Sequence, residues 1–136
     1  MTPLRTRKPF AWVLLAGTAC TPSTPMTAAP VAPFSQGEVD ASYEAKGNGV
    51  VEVRVKHLGP PNMLEAQATT YVVWITPEGS TVAQNAGAFR VDSNMEATFR
   101  FNTSFKKFAL AVTPEPAADA LRMTGRVVLR ADVAAQ

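Results

Sequence analysis

The stretch Tyr71-Val72-Val73-Trp74-Ile75-Thr76, closed by Pro77-Glu78-Gly79-Ser80, decides the fold. Six consecutive β-branched or aromatic residues are too few for a useful helix. A Pro-x-Gly turn stops them, so they predict a central strand buried on both faces. Tyr71, Val73 and Ile75 share one face and Val72 and Trp74 the other, so one set must find cover beyond a single core.

Working outward, the flanking segments alternate instead of running apolar. Before the central strand, Val39, Ala41, Tyr43 and Ala45 interleave with Asp40, Ser42, Glu44 and Lys46. Gly47-Asn48-Gly49 then turns the chain into Val51, Val53 and Val55, interleaved with Glu52, Arg54 and Lys56. The pair predicts an antiparallel hairpin with one wet face. Residues 57–68, broken by Pro60-Pro61, predict a crossing loop to an opposite sheet.

After the central strand, residues 81–91 place Phe89 and Val91 inward, and Gly87 predicts a bulge or a split. Asp92-Ser93-Asn94 predicts a three-residue turn before Met95, Ala97, Phe99 and Phe101, the clearest period-two run in the chain. Phe108, Leu110 and Val112 mark the next strand, 114–124 a long loop, and Val127, Leu129, Ala131 and Val133 the last strand. The expectation is all-β: an immunoglobulin-like antiparallel β-sandwich of about seven strands, without that fold's disulfide. A jelly roll or small barrel is the competing architecture.

The N-terminus has a different character. Arg5, Arg7 and Lys8 precede the apolar run Phe10–Ala16, then Gly17-Thr18-Ala19 and Cys20, the sole cysteine. This is the three-part build of a secretory signal peptide, with an apolar part too short to span a bilayer. It resembles the signal of bacterial lipoproteins, which implies cleavage after residue 19 and acylation of Cys20. Gly17 stands where that signal usually has leucine, and an ordinary signal cut after Ala19 is the alternative. Thr21 in place of aspartate after the cysteine is, in Gram-negative lipoproteins, the pattern that permits transfer to the outer membrane. Residues 21–33 hold four prolines and no charge, which predicts an extended, unpaired tether. The domain plan is therefore 1–19 signal peptide, 20–36 lipidated cysteine and flexible tether, and 37–134 sandwich.

Charge and chemistry narrow the function. The chain carries 13 basic and 11 acidic residues; without Arg5, Arg7 and Lys8 the balance is near −1, which excludes a basic field for nucleic acid. His57, the only histidine, has no neighbouring motif and reads as a loop or edge residue. No spacing suits a metal, a calcium loop or a phosphate, so neither catalytic residues nor a cofactor is expected. Tyr71 and Trp74 are candidates for a partner surface, with a core role for Trp74 the preferred reading. Lys106-Lys107 with Arg100 and Arg90 form either a basic patch or a solvated strand face, the latter preferred.

Three motifs carry a family resemblance: Tyr71-Val72-Val73-Trp74; Ala86-Gly87-Ala88-Phe89; and Val112-Thr113-Pro114-Glu115-Pro116 followed by Thr124-Gly125-Arg126-Val127. In order and spacing, residues 70–130 resemble the extracytoplasmic C-terminal domain of anti-sigma-K factors. The departures are Met123, where proline is usual, and Ala117-Ala118-Asp119-Ala120 in place of a Gly-rich stretch. The resemblance implies a fold and an extracytoplasmic location. It does not imply sigma binding, because the family's sigma-binding domain and membrane helix have no counterpart in this sequence. The reading is an exported, non-enzymatic, lipid-anchored module of the bacterial envelope, with the outer membrane favoured. It would bind a protein or envelope polymer through a sheet edge or the loops at one end. An accessory role in anti-sigma-type signalling is the alternative.

Overall fold

The computed structural model describes residues 23–134, so the predicted signal peptide and Cys20 lie outside the described residues. The strands are β1 (Thr24–Pro25), β2 (Thr27–Ala28), β3 (Gln36–Tyr43), β4 (Gly49–Lys56), β5 (Thr70–Pro77), β6 (Gln84–Phe89), β7 (Ala97–Thr103), β8 (Lys107–Glu115) and β9 (Leu129–Ala134). They form two antiparallel sheets, β1-β3-β4-β7 and β2-β9-β8-β5-β6, packed as a sandwich. The seven longer strands are those the alternation predicts. Their order, with the second between the first and fifth and the third between the fourth and sixth, is that of an immunoglobulin-like Greek key.

The core lies between the inward faces. Val39, Ala41, Val51, Val53 and Val55 from one sheet meet Tyr71, Val73, Ile75, Leu110, Val112, Leu129 and Val133 from the other. Five aromatic rings run through it in sequence, Tyr71, Phe89, Phe99, Phe101 and Phe108, with successive centroids 5.5, 6.2, 6.0 and 6.4 Å apart. The relay depends on Gly87. A Cβ there would stand 2.5 Å from Phe99 Cζ, and its φ of +135° is one that side chains rarely adopt. The predicted bulge is present opposite Val73 and Trp74, where pairing jumps from Gly87 to Asn85.

Several boundaries differ from expectation. Ala45 is exposed, because β3 ends at Tyr43 and the turn spans residues 44–48, closed by Glu44 N–H to Asn48 O at 2.8 Å. Met95 is exposed with φ +61°, because the Asp92 carboxylate accepts from the amides of Asn94 and Glu96 and carries the turn past Asn94. Val128, not Val127, is the fully buried residue before β9, since its amide bonds Val112 O ahead of the regular ladder.

The largest difference concerns residues 21–33, expected to be an unpaired tether. Thr24 and Pro25 pair with Val39 and Glu38 at one edge of the sandwich, and Thr27 and Ala28 pair with Arg130 and Leu129 in the other sheet. Proline is tolerated because both short strands are edge strands, where a missing N–H costs no ladder bond. Between them Met26 turns inward, 9% exposed, against Gly37, where a Cβ would lie 2.6 Å from its sulfur. The segment thus switches sheets and closes one side of the sandwich. On the other side, β6 and β7 are the free edges.

The registers define two ends. The turns at 44–48, 78–83 and 104–106 lie at one, the hairpin end. The longer connections 29–35, 57–69, 90–96 and 116–128 lie at the other, the loop end.

Met26→Ala removes most of the plug and should destabilise the domain by about 2–3 kcal/mol, the lower part of the range for a buried methionine. Urea denaturation measures it; a change under about 0.5 kcal/mol, the level of an ordinary surface substitution, would show that residues 24–28 do not hold the sandwich closed.

Candidate functional site

β5 is buried from Thr70 to Ile75, and its two faces are covered differently. Tyr71, Val73 and Ile75 face the opposite sheet. Val72 and Trp74, fully buried, point away from that core to the outer face of their own sheet. The connection 116–128 is laid across this outer face. Asn85, the cross-strand neighbour of Trp74, donates its Nδ2 to Ala118 O at 3.0 Å and Ala120 O at 2.9 Å. The Trp74 indole N–H donates to Thr113 Oγ1 at 2.8 Å, and Thr113 Oγ1 donates to Glu115 Oε2 at 2.5 Å.

Glu115 anchors the loop. It has no exposed surface, and its carboxylate accepts from Thr113 Oγ1, Thr124 Oγ1, the Thr124 amide at 3.0 Å and the Gly125 amide at 3.1 Å. Burial alone would raise this carboxyl. The bonds from Thr113, Thr124 and Gly125 outweigh it and hold Glu115 below the ordinary glutamate range. Only glycine fits at 125, because a Cβ would stand 2.0 Å from Pro114 O. The Thr-x-Glu and Thr-Gly residues of the sequence motifs are thus two halves of one clamp.

Tyr71 orders a second loop. Its hydroxyl donates to Gly59 O at 2.5 Å, its ring stacks on Phe89, and burial pushes the phenol well above its usual range. Leu58 is buried beside it and its amide bonds Met95 O at 3.1 Å, joining connections 57–69 and 90–96. Thr69 donates its amide to Glu115 O and its hydroxyl to Pro116 O, both at 2.9 Å, joining 57–69 to the clamped loop. Ala29 N–H to Val128 O at 2.9 Å adds 29–35.

The preferred reading of Trp74 as a core residue therefore holds, and the partner surface for which Tyr71 and Trp74 were candidates is corrected. They are 0% and 1% exposed, since both polar tips find partners inside the protein and each face of β5 has its own cover. What the loop end does present is apolar. Phe34 is 83% exposed, Met63 77% and Leu121 91%, in connections 29–35, 57–69 and 116–128, and Met95 and Met123 are exposed to a lesser degree. Single apolar residues in loops have no periodicity, so the sequence offered no signal for them. His57 is exposed at the same end with φ +56°, a strained turn conformation.

The supposed basic patch also separates. Arg100 pairs with Glu52 at 2.5 Å on the outer face of its sheet, Arg90 lies at the loop end, and Lys106 and Lys107 at the hairpin end. On the same outer face Arg54 bonds Glu38 at 3.1 Å and Asp40 at 2.7 Å. A groove of about 470 Å³ beside residues 26–28 is lined by Glu38, Arg54 and Lys56, with the arginine already committed to those acids. Among the described residues, no three metal-ligating side chains converge. Comparison with protein-family models and with curated proteins returned no match for this chain.

Two predictions follow from the wiring. Glu115 has a depressed carboxyl in the folded chain, so its contribution is complete above the unfolded glutamate value, near pH 4.3, and is lost as pH falls through the lower folded value. Glu115→Gln should cost about 2–4 kcal/mol at neutral pH, since an amide cannot accept from all four donors. It should also flatten the acid limb of stability against pH, read from urea melts; an unchanged limb would remove Glu115 from it. Tyr71→Phe should cost about 1 kcal/mol and speed amide exchange in residues 57–64 more than in β4, measured by hydrogen exchange.

Proposed function

We propose that this chain is a non-enzymatic, lipid-anchored module of the bacterial envelope that binds a protein partner through its loop end. The observation that carries the reading is the rigid wiring of that end beneath exposed apolar side chains. Phe34, Met63 and Leu121 project from connections that are cross-tied by Tyr71, Thr69, the Glu115 clamp and the Ala29–Val128 backbone bond. Water-exposed apolar side chains on pre-ordered loops lose little entropy on association, and they suit another protein's apolar surface better than a polar glycan. The anchor is Cys20, on the resemblance of residues 1–20 to a lipoprotein signal, with the outer membrane the favoured destination. A module that recognises a partner needs no catalytic group and no cofactor.

The second reading is an accessory in anti-sigma-type envelope signalling. The third of the motifs behind that resemblance contains the clamp residues Thr113, Glu115, Thr124 and Gly125, which shape the same loop end. It differs in its partner, which would be a single-span membrane protein.

Crosslinking of full-length protein in intact cells, with mass spectrometry of the membrane fraction, tests both. The expected result is one dominant protein partner, lost in Leu121→Asp and Met63→Asp although both variants retain the wild-type melting temperature. Capture of peptidoglycan alone, or capture undiminished in the variants, would overturn the loop-end reading. Cys20→Ala should move the protein to the soluble fraction.

A further inference from the structure

We propose that the hairpin end of the sandwich rests on the membrane surface, with the turn Ser104-Phe105-Lys106-Lys107 as its lipid contact. This rests on the anchoring of Cys20 proposed above and adds an orientation to it.

The first argument is reach and direction. β1 runs antiparallel to β3, with Thr24 opposite Val39, so the chain entering β1 comes from the side where β3 ends at Tyr43. Ser23 is already fixed there, its hydroxyl donating to Asp40 Oδ1. Three residue steps separate Ser23 from Cys20, and three extended residues span at most about 10–11 Å. An acylated Cys20 therefore cannot lift the domain away on a long spacer. The part of the molecule within that reach and in that direction is the hairpin end, where the 44–48 turn and the β7–β8 turn meet. Gly49 pairs with Thr103, and the Tyr43 hydroxyl donates to Phe105 O at 2.5 Å.

The second argument is chemistry. That bond, with the Phe105 amide on Thr103 Oγ1 at 3.1 Å, fixes the turn and leaves Phe105 37% exposed. Val82, 65% exposed, lies in the neighbouring 78–83 turn, and Val50, 46% exposed, near the start of β4. Lys46, Lys106 and Lys107 surround them, exposed and in no ion pair among the described residues, against Glu44 and Glu78. Aromatic and aliphatic tips ringed by lysines suit the headgroup layer of an anionic bilayer, where rings enter the interface and long lysine stems reach phosphate. The loop connections 57–69, 90–96 and 116–128 carry three arginines and four acids and lack that cationic excess. This orientation sends the loop end outward, toward its partner.

The test uses the full-length protein, purified from membranes and reconstituted in phosphatidylcholine vesicles containing phosphatidylglycerol. Cys20 is blocked by acylation, so Ser104→Cys and Asn94→Cys each accept a single environment-sensitive fluorophore, one at either end. Nitroxide-headgroup lipid should quench the Ser104 label several-fold more than the Asn94 label. The difference should shrink in a Phe105→Ser, Lys106→Glu, Lys107→Glu background that still fractionates with membranes. Equal quenching at the two positions, stronger quenching at Asn94, or crosslinking of the 104–107 turn to a protein instead of lipid would overturn the orientation while leaving the anchor intact. Recovery of wild-type protein in the soluble fraction, unchanged by Cys20→Ala, would overturn anchor and orientation together.

Discussion

The constraint on which the structure depends is that β5 is buried on both faces within a fold that has only one core between its sheets. One face is served by the opposite sheet, as in any sandwich. The other, with Val72 and Trp74, would be left wet at the cost of a large apolar area on a central strand. The chain covers it with residues 116–128, a connection with no regular structure of its own. A loop without a ladder needs some other means of staying in place, and here that means is a carboxylate.

Burying an ionised carboxylate is unfavourable by several kcal/mol unless its lone pairs are filled. Glu115 meets that condition with two hydroxyls and two backbone amides, all from β8 or the loop it retains. The bonds from Thr124 and Gly125 serve twice, satisfying the charge and holding the loop's end at Gly125. The Arg54 and Arg100 pairs differ in kind. They lie on a solvated face with arginine side chains 42% and 71% exposed, and such pairs contribute little, each at most about 1 kcal/mol. Stability and loop order therefore rest on the one buried acid far more than on the several exposed ones.

This division explains what could be read from the sequence. The strands of the sandwich announce themselves because each has one wet face, and alternation is a local signal: Val51, Val53 and Val55 need no knowledge of the rest of the chain. That Trp74 is a core residue was the preferred reading, but what covers it was not legible, because that cover lies about 45 residues later in a stretch of alanines and prolines that looks like any loop. Residues 24–28 misled for a related reason. Their prolines do forbid a central strand, but two-residue pairings at opposite sheet edges ask only for Met26 to be apolar and residue 37 to lack a side chain, and neither stands out. The exposed apolar tips at the loop end were invisible because a solitary Leu121 or Met63 has no pattern to belong to.

The same features give the molecule a polarity along its strands. Short turns cluster at the end where β1 begins, and every long connection is at the other. The two ends also differ in how they are ordered. At the hairpin end, turns are held by backbone bonds and the Tyr43 contact to Phe105. At the loop end, backbone bonds are joined by side chains reaching out of the interior, Tyr71 to Gly59 and Glu115 to Thr124 and Gly125. Loops held from within the core keep their outer surface free of structural duty. Residues such as Phe34, Met63 and Leu121 can then be chosen for what they meet outside the protein, while the residues beneath them are fixed by what they hold.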